Sequence, residues 1–434
     1  MVRLSAVGTA LLITLLLVTC SCGPKQEPRP NVVLIVIDTL RPDHLPFYGY
    51  EKNTAPFLAT LAAEGVVFER VHSTSSWTAP ATASIVTSLH PVQHGVHTGF
   101  VAAKLLGRID PTITVNRIPD AVETAAEAFA KAGYATWGVS DNINVSPAEG
   151  FEQGFTNFRH FEDLGAQGVN AVVRGWAKDL ESSRPYFLYL HYMDPHRPYL
   201  RHAPWYSAGG TELLDSVSAY DSEISYVDGF VKELYELLAW DRNTVLAIVS
   251  DHGEEFLEHG GWDHGRTLYA EVLNVPLVFC SSAAVVPARR VAERVSVLDV
   301  LPTLLDAAGL PASPAHEGRS LLPAITGDAA PPLDRDFFAD LRSAPWFGCR
   351  VLKAVVRGDE KCVFTLPDGV ELYDLAADPW EQRSLADGRD DVVADLRSRL
   401  DRFEAGCARY AQETTPVVLD AQTLEKLRSL GYAN

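Results

Sequence analysis

The sequence predicts an α/β protein: a three-layer α/β/α sandwich around a large, mostly parallel sheet, with a small C-terminal α+β subdomain. Three observations predict it. Strand-like runs alternate with helical patterns, the first run is apolar almost throughout, as a strand buried on both faces requires, and acidic residues recur where the runs end.

The first strand is Asn31–Ile37, nearly all β-branched and ending at Asp38. Further strands are expected at Tyr134–Ser140, Tyr186–Met193, Val245–Ser250 and Val275–Cys280. Helical patterns fill the gaps: Thr54–Glu64 closed by Gly65, the alanine-rich Asp120–Lys131 closed by Gly133, and the long amphipathic Thr211–Leu238. In open sheets of this kind functional residues gather at the carboxyl ends of strands, and Asp38, Asp141 with Asn142, Asp194 and Asp251 all stand there. After residue 335 the texture changes to short alternating runs, Leu352–Val356, Cys362–Leu366 and Glu371–Leu375, followed by an amphipathic helix over Asp391–Phe403. Residues 31–335 are therefore expected to form the main domain and 336–434 a subdomain with a small antiparallel sheet.

A chain of 434 residues, 47% hydrophobic and 21% charged, can bury a large core, which excludes a disordered or membrane-spanning bulk. Its 37 Lys and Arg against 56 Asp and Glu leave a formal charge of −19, which argues against an extended nucleic-acid surface. An anionic substrate must then be held by local cations, a reason to look for a metal.

Residues 1–22 read as an export signal: Arg3, the apolar run Leu11–Val18, then Thr19, Cys20, Ser21 and Cys22. The stretch Leu17–Cys20 resembles a bacterial lipobox, with Cys22 as the alternative lipidated residue. Residues 23–30 are polar and proline-rich, suited to a tether. The expectation is an exported lipoprotein, periplasmic or at the cell surface, that touches a membrane only through its anchor. Export permits disulfides among Cys280, Cys349, Cys362 and Cys407; Cys349 and Cys362 flank a hairpin, but connectivity stays open.

The most informative segment is SSWTAPATASIVTSLHP, Ser75–Pro91. Pro80 suits a first helical turn, which places Thr78 and Ala79 at a helix amino terminus, where N–H groups favour an anion. Alone, Thr78 reads equally as a helix cap. Together with Asp38 and SDHGEEF, Ser250–Phe256, it reads differently. Asp38, Asp251 and a neutral His252 make a hard-cation site, and a threonine oxygen on the same cation is a nucleophile at neutral pH. Glu254, Glu255 and Glu258 read as a solvated loop, and His72, His94 and His97 receive no role.

The segments NVVLIVIDTLRPDHLPFYGY, SSWTAPATASIVTSLHP, HYMDPHRPY, SDHGEEFLEHGGWDHGRTLYAEVLNVPLVF and ELYDLAADPWEQRSL resemble, in this order, those of the sulfatase family of the alkaline-phosphatase-like superfamily. The resemblance runs from Asn31 to about Asp387. It implies that fold, a divalent metal ion (calcium, magnesium, manganese or zinc), and Asp38, Thr78, Asp251 and His252 at the metal and nucleophile positions. Two departures matter. Where sulfatases carry a Cys-x-Pro-x-Arg motif whose cysteine becomes formylglycine, this chain reads Thr78, Ala79, Pro80, Ala81, Thr82, and threonine cannot become that aldehyde. Where many carry paired aspartates, Ile37 precedes Asp38.

A second group, His191, Asp194, His196 and His264, together with Asn142, is expected to meet substrate or a second metal. One cation is favoured, with His196 and His264 binding the ester oxygens and protonating the leaving group. His264 stands where many sulfatases have a lysine. The reading is a metal-dependent hydrolase of sulfate or phosphate esters, with phosphoesters and phosphodiesters favoured over sulfate esters and Thr78 forming a covalent intermediate. The substrate would be a small-molecule, glycan or lipid ester. The alternatives are a phosphoglycol or phosphoethanolamine transferase and a non-catalytic glycan- or anion-binding lipoprotein.

Overall fold

The computed structural model describes residues 29–99, 112–162, 164–284, 286–342 and 350–418. The export signal, Cys349 and most of the proposed tether lie outside these residues.

Eight strands form the central sheet: β1 (Asn31–Ile37), β2 (Val66–His72), β3 (Ala135–Ser140), β4 (Asn157–His160), β5 (Tyr186–Tyr192), β6 (Thr244–Val249), β7 (Asn274–Ser281) and β8 (Arg289–Ser296). They lie in the order β8-β2-β7-β6-β1-β5-β3-β4. All neighbours are parallel except β7, which runs antiparallel to both β6 and β2.

Every residue of β1 is buried, and its alternation feeds two separate cores. Val32, Leu34 and Val36 pack with α2 (Thr78–Thr87), α3 (Ala125–Lys131) and α6 (Val300–Ala307). Val33, Ile35 and Ile37 pack with α1 (Pro56–Glu64), α4 (Gly165–Ser182) and α5 (Glu212–Leu237). Each such aliphatic side chain contributes roughly 1.5–3 kcal/mol relative to exposure. This is the expected three-layer sandwich.

Helix starts are set by caps. Helix α3 begins at Ala125, later than expected, because Thr124 and Glu127 form a reciprocal capping box. Helix α1 begins at Pro56 and is capped from a distance: Asp228 on α5 accepts from the amides of Phe57 (2.9 Å) and Leu58 (2.7 Å). Strands β2 and β8 escape a hydrophobic pattern search because Glu69 and Arg70 interrupt one and arginines fill the other. The stretch Phe151–Gly168 contains β4 and the first turn of α4.

A second, four-stranded antiparallel sheet joins Asp336–Arg342, Val351–Arg357, Glu360–Leu366 and Gly369–Asp374 in sequential order. One face takes Leu396 and Leu400 of α7 (Asp390–Gly406); the other packs on Leu268 and Leu273, just after the SDHGEEF segment. Cys280, Cys362 and Cys407 are free thiols. No helix among the described residues is long and apolar enough to cross a membrane.

Candidate active site and metal centre

Four neighbouring strands, β6, β1, β5 and β3, deliver their contributions at one edge of the sheet. Asp251 and His252 follow β6, Asp38 follows β1, His191 lies on β5, and Asn142 follows β3. Thr39, immediately after Asp38, is held at φ 56°, a left-handed conformation uncommon for threonine and typical of the strain stored at functional sites. Thr78 enters from the loop after β2, at the first position of α2. The cap position belongs to Trp77, which makes no side-chain capping bond, so Thr78 is not the helix cap. Its hydroxyl instead reaches Asp38 Oδ2 at 3.4 Å and His252 Nε2 at 3.2 Å.

The two oxygens of Asp38 are unlike each other. Oδ2 accepts from Asn142 Nδ2 at 2.5 Å and His191 Nε2 at 3.1 Å, whereas Oδ1 is buried without a hydrogen-bond donor, 3.5 Å from His252 Nε2. His252 donates Nδ1–H to the carbonyl of Gly253 at 2.9 Å, which leaves the Nε2 lone pair facing Asp38, Asp251 and Thr78. Burial pushes this imidazole down to about 3, so it stays neutral. Asp251 is oriented by the amide of His252 at 3.0 Å and by Thr82 Oγ1 at 3.2 Å.

The donor set fits a cation. Ligand atoms of Asp38, Asp251 and His252 lie within 4.8 Å of one another, and all three residues are buried. Burial, reinforced by the charge on Asp38, pushes the Asp251 carboxyl well above the usual carboxylate range. Two such carboxylates cannot both stay ionised here without a compensating positive charge. The turn that carries Asp251 and His252 requires glycine at 253: a Cβ there would stand 2.0 Å from the carbonyl oxygen of Glu271.

A second cluster adjoins the first. His264 Nδ1 lies 3.0 Å from Glu254 Oε1 and 3.1 Å from Asp263 Oδ1, and its ring centroid is 4.4 Å from that of His252. Burial alone would lower the pKa of His264, but the charges of Glu254 and Asp263 outweigh it and lift the imidazole well above the ordinary range. His196 lies edge-on to His264, with centroids 4.8 Å apart. The structure thus brings His196 and His264 together beside His252.

Other placements differ from expectation. Asn142 and His191 turn to Asp38, and His191 takes Tyr189 OH on its other nitrogen at 2.9 Å. Asp194 does not join either cluster: its Oδ1 accepts from the amide of Ala166 at 2.9 Å, beside Asp141, which accepts from Leu164 and Gly165. Both carboxylates are drawn to the positive amino terminus of α4, and Asp194 is pushed up to about 7 by burial and by Asp141. Among the described residues, the second set of metal-capable atoms is Glu254, Asp263 and His264, not one built on Asp194.

Glu254 and Glu255 are buried rather than solvated. Glu254 accepts from Tyr199 OH at 2.9 Å as well as meeting His264. Its partners lie 55 and 10 residues away in the chain, so only a paired reading of the two segments signals it. His94 contacts Ser84, His72 contacts Arg294 and His97 contacts Asp340; none reaches the site.

The sulfatase family profile matches residues 30–310, well over half of the chain. The chain belongs to the sulfatase family. A second profile, N-sulphoglucosamine sulphohydrolase C-terminal, matches residues 257–406. Family membership makes the protein a metal-dependent hydrolase of the sulfatase type. Among relatives in the family, choline-sulfatase of Rhizobium meliloti is 24% identical, over 83% of this chain and 83% of its own length. A Delta 4,5-hexuronate-2-O-sulfatase of Bacteroides thetaiotaomicron is 21% identical over 89% of this chain and 91% of its own. Solved structures with the same fold include a 2-O GAG sulfatase, with TM-score 0.71, 20% identity and coverage of 87% of this chain and 92% of that one. Another is the phosphonate monoester hydrolase of Agrobacterium radiobacter, with TM-score 0.69, 20% identity and coverage of 90% and 100%.

Proposed function

We propose that this family member hydrolyses phosphate esters in preference to sulfate esters, with Thr78 in place of the formylglycine cysteine as its nucleophile. The observation that carries the reading is the Thr78 hydroxyl, freed from helix capping and set within 3.4 Å of both Asp38 and His252 at a buried, cation-ready carboxylate pair. Phosphonate monoester hydrolases of Agrobacterium radiobacter and Silicibacter pomeroyi share the fold, which is compatible with chemistry at phosphorus.

Asp38, Asp251 and His252 would hold one divalent cation, calcium, magnesium, manganese or zinc. When bound, the ion supplies charge neutralisation and Lewis acidity to the ester oxygens. Asn142 and His191 fix the Asp38 carboxylate so that Oδ1 stays turned toward His252. Thr78 points its proton at Asp38 Oδ2 and its oxygen attacks phosphorus in line with the leaving alcohol. His264, charged through Glu254 and Asp263, would supply the proton of the leaving oxygen, with His196 beside it binding the ester oxygens. Water then cleaves the Thr78 ester; interception by another alcohol would make the reaction a transfer.

A sulfate-ester reading through unmodified threonine is favoured by the named relatives, among them a choline-sulfatase and an N-acetylgalactosamine-6-sulfatase, and by a neighbour solved with D-glucosamine-2-N,6-O-disulfate. Intact-mass analysis after rapid quenching, with a phosphodiester and a sulfate ester in parallel, decides between them. A phosphate adduct on the Thr78 peptide is expected. A sulfate adduct alone would reverse the preference, and no adduct with continued turnover would remove Thr78 as nucleophile.

We further read residues 31–335 as the catalytic unit and 336–434 as its C-terminal subdomain. The Leu17–Cys22 segment supports export and lipid anchoring. Retention of the mature chain in the detergent phase, lost in Cys20→Ser with Cys22→Ser, tests the anchor.

A further inference from the structure

Away from the candidate centre the molecule holds a concentration of positive charge. A cavity of about 170 Å³ opens beside the end of β8, and Arg294, Arg319 and Arg335 line it, with Asp299 as the one acid among the lining residues. Three cations against one anion leave a surplus of two positive charges, in a chain whose formal charge is −19.

The acid has no capacity left. Asp299 Oδ1 accepts from the amide of Arg319 and from Arg335, each at 2.7 Å; Oδ2 accepts from Arg335 at 2.7 Å and from the amide of Ser296 at 2.9 Å. Arg335 is thereby neutralised and fixed. Arg319 is exposed, and among the described residues nothing pairs with its guanidinium. Arg294 is mostly buried against neutral His72 at 2.6 Å, with the exposed Asp359 only at 3.4 Å. Burial and the neighbouring charge of Arg70 push it down to about 10, as befits a guanidinium short of compensation.

The cavity also has a defined place relative to the reaction. Strand β8 runs parallel to β2 and in the same direction as β1, so Ser296 and Asp38 lie at the same edge of the sheet. Four strand steps separate β8 from β1. At about 4.8 Å each, they put the cavity roughly 19 Å from Asp38.

We propose that this cavity binds a tetrahedral oxyanion, the sulfate or phosphate group, as a second and non-catalytic anion site. Guanidinium forks match such groups bidentately. The walls contributed by Ala329, Pro331 and Pro332 offer no competing acceptor side chain. The volume exceeds several times the share of one water, about 30 Å³, and so admits the oxyanion with part of its carrier. The anion is either free in solution or a second charged group on a polymeric ester whose scissile group sits at Thr78. The proposal does not depend on which ester is cleaved.

The test is calorimetric titration of the metal-loaded enzyme with inorganic sulfate and with a sulfated oligosaccharide, in the natural chain and in Arg319→Glu. Arg319 holds its neighbours only through its backbone amide, so the variant keeps the fold, and nitrophenyl ester turnover is expected to stay within about twofold. A sulfate site is expected in the natural chain that weakens about tenfold or more in the variant. If the oligosaccharide binds about tenfold more tightly than sulfate in the natural chain and loses that gain in the variant, the anion is part of a polymeric substrate. If only inorganic sulfate responds to the substitution, the site serves the free anion. No sulfate binding in the natural chain, or sulfate binding wholly indifferent to Arg319→Glu, overturns the proposal.

Discussion

Replacing His191 by Phe tests how Asp38 is held. In the natural chain Asp38 Oδ2 has two strong donors, Asn142 Nδ2 at 2.5 Å and His191 Nε2 at 3.1 Å, while Oδ1 has none. Phe removes one charge-assisted hydrogen bond, worth about 1.5–3 kcal/mol, and frees the carboxylate to rotate away from His252. Loss of such an outer partner is expected to weaken cation binding roughly 10–100-fold. The same substitution strands the buried Tyr189 hydroxyl, which pairs with His191 Nδ1, at a cost of about 1–3 kcal/mol of stability. The two effects separate in the double variant His191→Phe with Tyr189→Phe: thermal stability should largely recover, because no orphan hydroxyl remains, while cation affinity stays low. Adding Asn142→Ala to His191→Phe should give a non-additive loss, since both donors act on one oxygen. The assay is calorimetric titration of the metal-free protein, alongside kcat/KM on nitrophenyl phosphate. If His191→Phe loses stability but keeps the natural cation affinity and kcat/KM, the orientation argument for Asp38 is refuted.

Chelation should abolish turnover and lower Tm, because the cation relieves the repulsion between Asp38 and Asp251; at a free concentration 100-fold above Kd the bound ion contributes about 2.7 kcal/mol. Restoring calcium, magnesium, manganese and zinc one at a time, with Tm and rate read together, identifies which ions the site accepts. Asp228→Ala removes the distant cap of α1 and should cost about 0.5–2 kcal/mol in a denaturant melt while leaving kcat/KM unchanged, since no catalytic residue touches it. For His259, burial opposes the charge, but Glu271 and the carbonyl of Glu381 win and raise its pKa to about 9. A raised folded-state value means that its stabilising contribution is complete below about pH 6.5 and is lost as pH climbs through about 9. Tm should therefore fall between pH 7 and pH 10, and His259→Asn should flatten that decline; an unchanged slope in the variant would assign the effect elsewhere.

Particular residues show why the sequence was legible where it was. The run Asn31–Ile37 declares a strand buried on both faces because its apolar content has no polar side to offer. Strand β8 hides because its arginines serve long-range partners: Arg290 meets Glu69, and Arg294 meets His72. Asp38, Thr78, Asp251 and His252 could be named in advance, since acids after strands and a threonine two residues ahead of a proline in a first helical turn are local patterns. Their neighbours could not. Asp194 and Asp38 both follow a strand, yet one turns to the amino terminus of α4 and the other to the cation-ready cluster. Glu254 sits in a run of acids that looks solvated, yet is buried between Tyr199 and His264.

Taken by itself, the amino-acid order carried the layered architecture, the resemblance to the family and the four residues of the candidate centre, because each rests on local runs and motifs. Only the tertiary structure decided that Thr78 is not a cap, that Asn142 and His191 serve Asp38, that Glu254 charges His264, and that three arginines share one cavity. The physical reason is that burial and hydrogen-bond pairing are set by which strands become neighbours in the sheet. A carboxylate's partner, and hence its charge and its chemistry, comes from a segment that local spacing cannot identify.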